Sequence, residues 1–233
     1  MSKIYFYELR RLLYNKLFFG ILLVSLGFGW LTLTGALILG IAHTAPFSPW
    51  SFGYYLSRIL PLICLGEVCF LAFFSSREER LAASLTRAAP VKQQRYLLLR
   101  LGAVLTAVAF LCLGVSALAV LFYRALFGRM NLGELLWPGL LALVPPVIFC
   151  LGAGLALSRI RPVLLYPFMA VVVLMTALPL PSEMSLSMSS FYSEYPLTLE
   201  ALEPAFQVPL GILVSRAVFF LLGLGFAAAG VWK

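Results

Sequence analysis

Aspartate is absent from this chain, and histidine occurs once, at His43. A metal cage of histidines and carboxylates needs several such ligands, so none is expected. A serine hydrolase needs a base oriented by an acid, and His43 has no evident acid partner. No G-x-x-x-x-G-K-[ST] run occurs, so there is no phosphate-binding loop of that type. The pair Glu78-Glu79 invites comparison with intramembrane proteases that use Glu-Glu-x-x-x-Arg and further histidines. Position 83 is alanine, Ala83, and one histidine is too few. The four cysteines, Cys64, Cys69, Cys112 and Cys150, show no C-x-x-C spacing and lie inside apolar runs. Disulfide frameworks belong to small secreted domains, so these read as small core residues. No catalytic, cofactor-binding or metal-ligating residue is expected, and the chain reads as a non-enzyme.

Charge is scarce too, at 11% of residues against 62% hydrophobic. Mean hydropathy is +1.01. Apolar runs of about 20 residues recur, the length a helix needs to cross a hydrocarbon core of about 30 Å. Bare backbone polar groups are not tolerated in lipid, so these runs are helices; a membrane barrel would show short alternating segments instead. The expected class is all-α: a polytopic membrane protein with one transmembrane domain over residues 1–233. Six spans are expected, at 17–42, 53–74, 101–123, 135–157, 163–180 and 209–231, the fifth being the shortest. The first apolar run is too long for the core of a cleavable signal. The pieces between spans are too short for an independent core, and no internal repeat stands out.

Lys and Arg near span ends set orientation. With the N-terminus in the cytoplasm, 13 of the 17 basic residues fall inside, leaving Arg58, Arg124, Arg129 and Arg216. The 181–208 segment carries four glutamates and no Lys or Arg, as an outer segment can. Both termini are therefore expected in the cytoplasm. The net charge of +8 reflects this bias rather than a nucleic-acid footprint.

Before the first span, residues 1–16 read as an interfacial helix. At about 100° per residue, Tyr5, Phe6, Leu9, Leu12 and Leu13 share one arc. Lys3, Tyr7, Glu8, Arg10, Arg11, Tyr14 and Asn15 fill the other side. Such a helix lies in the headgroup region of a membrane.

The stretch "SSREERLAASLTRAAPVKQQRY", residues 75–96, is a charged island between the second and third spans. Ser75 and Ser76 each precede a glutamate by three residues, the capping-box pattern that opens a helix. Leu81, Leu85, Ala88 and Ala89 fall on one narrow arc, with Arg80, Ala83, Ser84 and Arg87 opposite. Pro90 stops the helix near Ala88. A plain connector needs only a few residues; this one has an apolar ridge and charges of both signs. It reads as a docking surface for a cytoplasmic partner, the plainer alternative being a solvated, topology-setting connector.

These residues resemble the segment between the second and third spans of type-2 ABC exporter permeases. The positions carrying the resemblance are Glu78, Glu79, Leu85, Pro90, Val91, Tyr96 and Arg100. The layout is similar as well: an N-terminal amphipathic helix, six spans, both ends inside and a longer outer segment before the sixth span. The resemblance implies that residues 75–96 form a coupling helix seated on a separate ATP-hydrolysing subunit. The docking residues would be Arg77, Glu78, Glu79, Arg80, Leu81, Leu85, Arg87, Ala88 and Pro90. It also implies ATP and magnesium on that partner rather than on this chain, a second permease subunit (the same chain or a related one), and a bacterial cytoplasmic membrane. A hydrophobic or amphipathic cargo, such as a peptide, antibiotic or lipid, would be exported. Two rival classes stay open: a non-transporting membrane scaffold and an ion-coupled transporter.

Ionisable residues within spans are costly and usually face a bundle interior, a partner or water. Glu67, Arg58 and Arg216 are the candidates for a pathway or an interface. Arg58 can snorkel outward. Arg216 is the nearest candidate partner of Glu67, but helix rise separates the two by about 10 Å in depth. Pro145-Pro146 is expected to kink or break the fourth span. Small residues such as Gly223 and Ala227 suit close helix packing. The 181–208 segment is too apolar for a plain loop, and Thr198 is a candidate cap for a short helix within it.

Overall fold

A computed structural model describes residues 2–76, 93–128, 132–178, 180–199, 201 and 203–232. Helices dominate the described residues, and no strand occurs among them. In chain order they are α1 (Ser2–Leu13), α2 (Lys16–Thr32), α3 (Pro49–Phe74), α4 (Gln93–Phe127), α5 (Leu132–Ile160), α6 (Leu165–Ala177), α7 (Ser189–Glu194) and α8 (Leu210–Trp232). A wider helical turn, Leu33–Leu37, extends α2. Single 3₁₀ turns at Pro162–Leu164 and Tyr195–Leu199 precede α6 and follow α7.

Among the described residues five helices are long and apolar enough to cross a membrane: α2 with its extension, α3, α4, α5 and α8. The fifth expected span forms only the 13-residue α6 after its 3₁₀ turn. At 1.5 Å per residue α6 is about 20 Å long, short of a hydrocarbon core of about 30 Å. Pro162 starts the 3₁₀ turn, and Leu178 leaves the helix in extended conformation before Pro179, as a residue preceding proline prefers.

Local chemistry explains the other boundaries. Asn15 caps α2, its side chain accepting from the Leu17 amide. Ser48 caps α3 by accepting from Ser51 N–H, and Pro49 occupies the first helical position, where no amide partner is needed. Pro138, Pro145 and Pro146 all lie within α5, which stays helical from Leu132 to Ile160. The proline pair therefore does not break this helix. Neighbouring helices can support freed backbone groups in a membrane bundle, and α5 packs closely on both α3 and α8.

The core sits on α3 and α5. In the most apolar 18-residue stretch of each, 61% and 67% of residues are buried, against 17% in α8. Missing side chains let backbones meet. A Cβ on Gly152 would lie 1.9 Å from the Gly223 carbonyl oxygen, and one on Gly223 would lie 2.4 Å from that of Ile148. The Gly223 face of α8 therefore packs on α5 within the chain. At the far end of this pair, Arg159 Nε donates to the Gly230 carbonyl at 3.0 Å, serving one of the acceptors left open at the end of α8. Tyr55 joins three helices: it packs beside Gly29 of α2 and donates to the Val115 carbonyl of α4 at 2.9 Å.

Candidate functional site

The charged stretch 77–92, with the expected docking residues Arg77, Glu78, Glu79, Arg80, Leu81, Leu85, Arg87, Ala88 and Pro90, lies outside the described residues. The two helices that bracket it do not. Ser75 and Ser76 turn their amides back into the last turn of α3, bonding to carbonyls of residues 71–73. Ser75 is thus the closing residue of α3. The chain is described again at Gln93, where α4 begins.

Between those two ends sits a buried carboxylate that sequence reasoning had turned the other way. Glu8 is 2% exposed. Its Oε1 accepts from Tyr96 Oη at 2.7 Å and from Arg100 Nε at 3.3 Å. Its Oε2 lies 4.0 Å from Arg11 Nη1. The Arg100 guanidinium also stands over the rings of Phe74 and Tyr96, at 4.8 and 4.7 Å. Arg11 stands over Phe73 at 5.2 Å. Such contacts bring a cation over the negative face of a ring. One turn earlier on α1, Tyr5 Oη and Thr106 Oγ1 share a hydrogen bond of 2.6 Å. Helix α1, the end of α3 and the start of α4 are therefore fastened at one place.

This corrects the arc expected for the N-terminal helix. Tyr5, Leu9 and Leu12 do pack inward, but Glu8 joins them and Phe6 is 64% exposed. The reason is tertiary. Glu8 is the first acid in the chain and the next is Glu67, and its hydrogen-bonding partners lie 88 and 92 residues away. A lone acid in a basic helix was the available signal, together with a tyrosine and an arginine at the entry to the third span.

The intramembrane residues separate into three situations. Glu67 is fully buried, and neither of its oxygens has a hydrogen-bond partner among the described residues. Its carboxylate, the Cys64 thiol and the Cys150 thiol all lie within 4.8 Å of one another. Arg58, nine residues into α3, is exposed. Arg216 is 2% exposed and serves the 181–208 segment: it donates to the carbonyls of Leu186 at 3.1 Å, Ser182 at 3.3 Å and Ser185 at 2.5 Å. Those bonds, rather than Glu67, are what it engages.

The 181–208 segment is a packed cap. Tyr192 lies where a Cβ on Gly53 would be, 2.1 Å from its ring, and its hydroxyl donates to the Pro138 carbonyl at 3.3 Å. Burial holds the Tyr192 phenol above its ordinary range, with the Arg216 charge acting the other way. Trp50 Nε1 donates to the Pro204 carbonyl at 2.9 Å, and its ring packs against Phe191, Tyr195 and Phe206. The short helix lies at Ser189–Glu194, before Thr198, whose hydroxyl bonds back to the Tyr195 carbonyl inside the 3₁₀ turn. Beside this cap a cavity of about 520 Å³ opens between Thr44, Phe47, Tyr123, Trp137, Glu203 and Phe206. His43 is exposed in the preceding loop, with left-handed backbone at φ 61°.

No family model, curated protein or solved structure matches the chain.

Proposed function

We propose that the chain is the permease subunit of an ATP-driven exporter, of the type-2 ABC kind. It crosses the bacterial cytoplasmic membrane six times, with α6 and the residues around it as the fifth, thin crossing and both termini in the cytoplasm. Helix α1 lies at the inner interface, with Lys3, Phe6, Tyr7, Arg10 and Tyr14 directed away from the bundle, residues that suit headgroups and upper acyl chains. Residues 77–92 dock on a separate ATPase subunit, which carries ATP and magnesium. Two permease subunits, identical or related, complete the unit. Arg58, exposed nine residues into α3, supports a face covered by that second subunit or lining a wet pathway. The cargo is hydrophobic or amphipathic.

The observation that carries this reading is the clamp around Glu8. A motor that pulls on residues 77–92 acts on the end of α3 and the start of α4. Those ends are fastened to each other and to α1 through Glu8, Arg11, Tyr96 and Arg100. A displacement of the insert is thereby passed to three helices together. The motor shifts the equilibrium between bundle states only by as much as its docking energy differs between them.

The test is the variant Leu85→Asp, which puts a charge on the apolar ridge of the insert. It is expected to abolish co-purification of an ATPase subunit and cargo-stimulated ATP hydrolysis, while membrane insertion stays intact. Coupling at the wild-type level would remove the docking role.

A further inference from the structure

Cys64 and Glu67 stand three residues apart on α3, on one side of the helix. Cys150 reaches the same place from α5, and the three donor atoms lie within 4.8 Å of one another. Cys64, Glu67 and Cys150 are all buried, and both Glu67 oxygens lack a hydrogen-bond partner among the described residues. An ionised carboxylate left unpaired in an apolar interior is very costly. A cation held between the thiols and the carboxylate would satisfy it.

The donor set selects the ion. Carboxylate-only and carbonyl sites suit magnesium and calcium, while purely soft thiolate sites suit copper(I). Two sulfurs with one oxygen fit a borderline ion. Zinc takes Zn–S distances of about 2.3 Å and Zn–O distances of about 2.0–2.2 Å in tetrahedral sites. A tetrahedron with those bonds places its donors roughly 3.5–3.8 Å apart, so the cluster needs to close by only about 1 Å. Coordinating thiols are deprotonated, so a divalent ion held by both thiolates and the Glu67 carboxylate leaves one net negative charge. Forming that complex from a neutral cluster releases three protons, one from Glu67 and one from each cysteine.

We propose that Cys64, Glu67 and Cys150 bind one divalent, thiol-seeking cation of the zinc class between α3 and α5. The ion would staple the two most enclosed helices of the bundle. The inference stands apart from the exporter reading, since no ATPase subunit or cargo takes part in it.

The full-length chain, purified in detergent without a polyhistidine tag, is titrated with cobalt(II) as a spectroscopic stand-in for zinc. One cobalt per chain is expected, with a thiolate-to-cobalt charge-transfer band that zinc displaces. Loss of even an outer-shell partner costs a metal site about 10–100-fold in affinity. Cys150→Ser and Glu67→Gln are therefore each expected to weaken binding by about 100-fold or more, while Cys69→Ser, on the same helix but outside the cluster, binds as wild type does. A wild-type chain that takes up neither cobalt nor zinc overturns the proposal, whatever the variants do. So does a band that survives unchanged in both ligand variants.

Discussion

The two ends of this bundle are held by different chemistry. At the end bearing α1, one carboxylate gathers Tyr96, Arg100 and Arg11 from two helices, and every partner in that set is a side chain. At the end bearing α7, one guanidinium takes three backbone carbonyls of a single segment, beside an aromatic cluster around Trp50. Side chains can change rotamer and partner without moving the backbone. Carbonyls cannot, and a cap built on them is either seated or unseated as a unit. The first arrangement suits a joint that shifts under load, the second a closure that keeps its shape. In the proposed exporter these would be the motor-side joint and the outer seal.

Three substitutions press on that contrast. The largest effect is expected for Arg216→Met, which leaves the carbonyls of Ser182, Ser185 and Leu186 without their donor. A buried unsatisfied acceptor costs about 1–3 kcal/mol, so a loss of about 3 kcal/mol or more is expected. Hydrogen exchange should rise across 182–192 and stay unchanged in α1. Protection of that segment at the wild-type level would mean that the aromatic cluster alone holds the cap.

Glu8→Ala should act at the other end. Hydrogen bonds to charged groups contribute about 1.5–3 kcal/mol, and a destabilisation in that range is expected in chemical unfolding. Exchange should rise in α1 and leave the 181–208 cap untouched. If exchange rises at both ends together, the two regions are one cooperative unit and the contrast fails. Tyr5→Phe removes one neutral hydrogen bond to Thr106. It should cost only about 0.5–1.5 kcal/mol, read as a small drop in the unfolding midpoint. A loss as large as that of Glu8→Ala would place the weight of the joint on Tyr5.

Much of the architecture was legible in the residues. Runs such as 53–74 and 101–123 had to be helices because lipid supplies no partner for their backbone. Gly223, expected from its small size to sit in a close helix contact, does so against α5. The fifth expected span was read as long as its apolar run, yet the helix covers Leu165–Ala177 only. Pro162 and Pro179 bound what can be helical there, and hydropathy does not register them. Of the kink or break expected at Pro145-Pro146, the break does not occur: the helix persists through the pair where its neighbours support it.

The sites were less legible. Glu67 and Arg216 were conspicuous as charges among apolar residues, but their surroundings were not. Arg216 answers carbonyls about 30 residues upstream. Glu67 meets a cysteine 83 positions away, counted along the chain from 67 to 150. Glu8 looked like one more polar residue on a basic helix.

Periodicity, composition and the spacing of basic residues act within a turn or a span, so the amino-acid order alone settled that the chain is helical and built for a membrane, and where its charged insert falls. Which carboxylate is buried, which arginine holds the cap and which thiols meet it did not follow from that order. Those depend on packing between helices distant in the chain, and local patterns carry no information about which faces will meet.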